Sequence, residues 1–67
     1  MNYRRTKFYK DLTHYIACET VEWSDTATQK EQLIAWQWLV DTGICWTLQG
    51  WYGRTAVYLI ERGSIRK

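Results

Sequence analysis

The chain has 67 residues, room for one domain whose stability is marginal unless a disulfide, a metal or a partner chain adds to its core. Hydrophobic residues make up 46% and charged residues 24%, the balance of neither a disordered segment nor a membrane protein; no apolar run nears the ~20 residues of a transmembrane helix. A net charge of +2 does not demand an anionic partner, and two cysteines permit at most one internal disulfide.

The first element expected is an amphipathic helix from about Thr6 to about Glu19. Phe8, Leu12, Tyr15 and Ile16 form its apolar stripe between Lys7, Lys10, Asp11 and His14. Leu12 and Ile16 are its expected core contacts, and Thr20 and Val21 weaken helix propensity beyond it. A β-hairpin between Thr20 and Trp23 is the weaker alternative. Ser24, Asp25, Thr26 and Thr28 then offer N-caps, and Thr28 with Glu31 fits a capping box. A second helix follows to Asp41 or Thr42 and stops at Gly43. Its second half, Leu33–Val40, has one polar residue in eight and must be covered on more than one side. Neighbouring helices or a second copy of the chain, forming a homodimer, are the two possible covers.

Ile44–Gln49 is long enough for a turn or two of helix before Gly50. A third main helix is expected over Arg54–Arg62, with Tyr52, Ala56, Leu59 and Ile60 on one face and Gly63 as its stop. Ser64–Lys67 form a short basic tail. The fold class is therefore all-α: a small compact bundle of three main helices plus one short helix, with a helix-turn-helix-like C-terminal half.

Charge is unevenly spread. Arg4, Arg5, Lys7 and Lys10 give the first ten residues +4, the stretch from Asp11 to Asp41 carries −5, and the chain from Arg54 onward carries +3. Ends that meet in space form a basic face able to bind phosphates; otherwise the charges serve solubility.

Converging catalytic groups are missing, so no enzyme is expected. His14 is the one histidine, the acids are scattered, and Gly50 and Gly53 match no phosphate-cradling fingerprint. His14 and Cys18 are spaced i, i+4 with Cys45 as a conceivable third metal ligand, but zinc sites show paired short spacings, so no metal and no cofactor are expected. Five tryptophans suit either a small core filled by large side chains or an interface. Trp36 and Trp38 lie about 200° apart on a helix, so one of them is expected in the core. Trp51, just before a turn between helices, is the tryptophan expected at the surface.

The stretch DTGICWTLQGWYGRTAVYLIERG, from Asp41 to Gly63, resembles a motif of small uncharacterised proteins of tailed bacteriophages, D-T-G-x-x-W-x-L-Q-G-x-Y-G-R-T-A-x-x-L-I-E-x-G. Asp41, Thr42, Gly43, Trp46, Leu48, Gln49, Gly50, Tyr52, Gly53, Arg54, Thr55, Ala56, Leu59, Ile60, Glu61 and Gly63 carry it. The resemblance implies a phage origin and action in the reducing host cytoplasm, with no activity attached.

Two functions follow as expectations. One is a non-enzymatic protein that binds a host or phage protein, an inhibitor or adaptor of host-takeover or anti-defence type, through Trp51, Tyr52, Arg54, Tyr58 and Arg62; aromatics with arginine are the usual composition of an interface hot spot. The alternative is a helix-turn-helix DNA-binding regulator, with Leu48–Gly50 as the turn. Arg54, Thr55, Tyr58 and Arg62 would then face the major groove while Arg4, Arg5 and Lys7 touch phosphates. Low net charge and Glu61 on the same helix count against DNA. Neither function involves a membrane.

Overall fold

The computed structural model describes residues 2–22 and 25–67. At its start a 3₁₀ turn, Tyr3–Arg5, is capped by Asn2, whose Oδ1 accepts the Arg4 N–H at 3.0 Å. Thr6 then caps a single turn of helix, α1 (Lys7–Lys10), by accepting the Tyr9 N–H. The single helix expected from Thr6 to Glu19 is in fact broken between α1 and α2 (His14–Glu22). The hydroxyl of Thr13, just ahead of α2, accepts the Ile16 N–H at 3.2 Å and restarts the helix as a cap. The break turns Leu12 into the core at 7% exposure, while Ile16, the other expected core contact, stays exposed.

Helix α2 also runs past Glu19. Thr20 is buried and its hydroxyl donates to the Ile16 carbonyl at 2.8 Å, so packing overrides the weak propensity of this stretch. Thr20 to Glu22 are thus helical rather than part of a hairpin, and Trp23 and the cap candidate Ser24 lie outside the described residues.

Thr28 and Glu31 close the predicted capping box: the Glu31 N–H donates to Thr28 Oγ1 at 3.0 Å, and the Thr28 N–H to Glu31 Oε1 at 2.9 Å. Helix α3 (Gln29–Thr42) follows and ends at Gly43, whose φ of +80° is the left-handed conformation that glycine adopts without strain. Ile34, Ala35, Trp36, Gln37, Leu39 and Val40 are all buried. Their cover comes from the chain itself, with α2, α1 and the N-terminal turn packed against α3. Of the Leu33–Val40 stretch that suggested a homodimer, Leu33 and Trp38 remain partly exposed.

A 3₁₀ turn, Ile44–Trp46, leads to α4 (Gly50–Glu61), which begins four positions ahead of the expected Arg54. Two glycines disfavour a helix start there, but Trp51 and Tyr52 supply the opposing force. Their rings lie 4.1 Å apart, and each meets Trp36 of α3, at 6.2 Å edge-on for Trp51 and 5.6 Å for Tyr52. Gly63, at φ +79°, ends the helical stretch as predicted. The tail beyond it is no free basic end, since Ile65 is buried at 3%.

A polar clamp ties both ends of the chain to α3. Arg4 grips Asp41 with Nε and Nη2, each at 2.7 Å, and the Tyr9 hydroxyl donates to the same carboxylate at 2.7 Å. Gln37, 3% exposed, donates to Asp41 at 3.0 Å and to the Arg66 carbonyl at 2.6 Å, while accepting the Arg66 N–H at 2.7 Å. The described residues form an all-α bundle around α3.

Candidate functional site

The five residues expected to form a binding surface divide between core and solvent. Tyr52 is buried at 3%, and its hydroxyl donates to the Glu22 carboxylate, joining α4 to the end of α2. Burial and then this bond raise the phenol above its usual pKa, so it remains a donor. Trp51 is half-buried against Tyr52 and Trp36, with its indole N–H on Gln49 Oε1 at 3.2 Å. Tyr52 therefore belongs to the core, while Trp51 packs against it and keeps part of its ring at the surface.

Arg54, Tyr58 and Arg62 stay outside, one turn apart along α4 and its C-cap, Arg62. Arg62 Nη1 donates to the Tyr58 hydroxyl at 2.9 Å, and its guanidinium lies 5.3 Å from the ring centre, a cation–π contact that holds both side chains. Arg54 lies back over the first turn of α4, where a Cβ at Gly50 would approach its Nη1 to 3.1 Å.

Among the described residues the exposed tryptophan is Trp46, at 47%, which sequence reasoning missed. It stands on the 3₁₀ turn beside α4, its ring over the backbone at Gly53, where a Cβ would lie 3.6 Å from Trp46 Cε3. Val57 is 45% exposed on the adjoining face of α4. With Val40 and Ile60 these two line an open, mainly apolar groove of about 500 Å³, and Glu61 and Lys67 place one charge of each sign on its walls. The one available signal was indirect: Trp46 sits in the motif between two glycines, in a segment too short for a buried helix.

A second, polar concavity of about 280 Å³ lies where the two chain ends meet, lined by Asn2, Tyr3, Arg4, Gln37 and Arg66. The termini that sequence analysis placed as separate basic blocks thus converge.

Among the described residues no three His, Cys, Asp or Glu side chains are grouped to hold a metal. His14 is exposed, Cys18 half-buried and Cys45 buried, and both cysteines are free thiols. Burial pushes the Cys45 thiol up to about 11, away from the thiolate that nucleophilic or ligand chemistry needs. No helix among the described residues is long and apolar enough to cross a membrane.

Residues 12–67 match the family described as Domain of unknown function (DUF7417), and the chain belongs to that family. Among curated proteins and among solved structures, nothing matches the chain.

Proposed function

We propose that this DUF7417 member is a non-enzymatic protein-binding module of phage type, working in the host cytoplasm by covering a functional surface on a host or phage protein. The observation that carries this reading is the exposed pair Trp46 and Val57 over the groove floored by Val40 and Ile60. A tryptophan nearly half in water beside an open apolar groove has the composition of an interface anchor. The stripe Arg54–Tyr58–Arg62 flanks it along α4 and its C-cap, and the bond from Arg62 to Tyr58 reduces the side-chain freedom lost on binding. The resemblance of Asp41–Gly63 to small phage proteins supports the setting, and Trp46 belongs to that motif.

The test is capture from host lysate by tagged protein, with and without nuclease, repeated with Trp46→Ala. A stoichiometric partner that survives nuclease and is lost with Trp46→Ala, while the helical circular-dichroism signal stays, supports the reading. A partner retained by that variant overturns the groove as the interface.

One observation favours DNA instead: Arg54, Tyr58 and Arg62 share an exposed stripe on the helix that follows a turn. Residues 43–49 form that turn, longer than the three or four residues of a helix-turn-helix. Binding to duplex DNA that falls steeply with salt and is lost in Arg54→Ala would favour the regulator.

A further inference from the structure

We propose that the concavity between the N-terminal turn and the C-terminal tail binds a single phosphate group, free or as a small phosphomonoester. The argument is a count of donors and acceptors. Asp41 is the carboxylate nearest to it in the clamp, and four donors saturate it: Oδ2 takes Arg4 Nε and the Tyr9 hydroxyl, and Oδ1 takes Arg4 Nη2 and Gln37 Nε2. Gln37 has both amide hydrogens engaged, on Asp41 and the Arg66 carbonyl, and its oxygen accepts the Arg66 N–H. Asn2 Oδ1 is taken by the Arg4 N–H. The side-chain oxygens of Asp41, Gln37 and Asn2 thus each already hold a donor.

Donors remain. A guanidinium carries five N–H groups, and Asp41 engages two of those on Arg4. Among the described residues the guanidinium of Arg66 has no hydrogen-bond partner, although Gln37 holds its backbone by two bonds, so its charge projects from a fixed point. The Asn2 amide N–H₂ is left as well. Arg4 and Asp41 cancel, and among the described residues Arg66 forms no ion pair. A space of about 280 Å³ with surplus donors and surplus positive charge fits an acceptor-rich anion. Phosphate has enough oxygens to accept from both guanidinium groups at once, and the volume leaves room for a small ester group.

The test titrates inorganic phosphate, phosphoserine and acetate into the full chain at low salt, followed by NMR of the arginine Nε–H signals and the Gln37 side-chain amide. Arg4, Arg66 and Gln37 should respond along one saturable curve, with a dissociation constant on the order of 1 mM. Arg54 and Arg62 should drift without saturation. Arg66→Gln, which leaves the backbone anchors in place, should weaken phosphate about tenfold with an unchanged circular-dichroism spectrum. Tighter binding of phosphoserine assigns the phosphomonoester, and equal affinity assigns the free anion. Parallel drift of every arginine, full affinity in Arg66→Gln, or acetate binding as tightly as phosphate overturns the proposal.

Discussion

Arg4 and Asp41 meet edge to edge across 37 positions of chain, with Nε and Nη2 each 2.7 Å from a carboxylate oxygen. This fork fastens the N-terminal segment, which lies ahead of the part of the chain matching the family, to the C-terminal end of α3. The Asp41 side chain is 18% exposed and that of Arg4 42%, so water screens the pair in part.

Burial alone would raise the Asp41 carboxyl, but hydrogen bonds from Arg4, Tyr9 and Gln37 outweigh it and hold it below the ordinary carboxylate range. A carboxylate with a depressed folded-state pKa stabilises the fold above its unfolded value of about 4, and that contribution is lost as pH falls through the folded value. Asp41→Ala should cost about 1–2 kcal/mol at neutral pH. Thermal melts of the two proteins should converge below about pH 4 and move closer at high salt.

At alkaline pH the tyrosines reverse the sign. Burial, and then the bond to Asp41, raises the Tyr9 phenol to about 12. A raised folded-state pKa stabilises the fold below the unfolded value, so this contribution is complete below about pH 10 and lost between 10 and 12. Titration of tyrosinate absorbance should show a late component that Tyr9→Phe removes in part. The rest belongs to Tyr52, raised in the same direction by burial and Glu22, and to Tyr15, raised by its hydrogen bond to Glu19. Tyr52→Phe should cost about 1 kcal/mol by removing one hydrogen bond.

Trp36 and Trp46 should differ sharply on truncation. Trp36 is 6% exposed and touches the rings of Trp51 and Tyr52, so Trp36→Ala should cost about 3–5 kcal/mol, a large share of the stability of so small a domain. Trp46→Ala should stay within about 1 kcal/mol of the parent in urea melts, because nearly half of that side chain is already in water.

The two thiols should separate by access. Cys45 is 1% exposed and its thiol is pushed up to about 11, whereas Cys18 is only half-buried. Ellman's reagent at neutral pH should modify Cys18 in the native protein and reach Cys45 only in denaturant. Equal native rates for both would contradict the packing around Cys45.

What local chemistry decides was legible from residue order. The all-α class, the Thr28–Glu31 capping box and the stops at Gly43 and Gly63 each depend on groups within about a turn of one another. Contacts between distant segments decided the rest. The break before α2 follows from Leu12 entering the core, and the early start of α4 follows from Trp51 and Tyr52 reaching Trp36. Composition marks five tryptophans as candidates for core or interface alike; only the elements packed around each ring place Trp36 inside and Trp46 in the groove. In the same way, charge counting finds two basic ends, but Gln37, bonded to Asp41 and to the Arg66 backbone, brings them to one concavity. Burial and convergence are properties of what surrounds a residue in space, and no pattern along a single segment contains them.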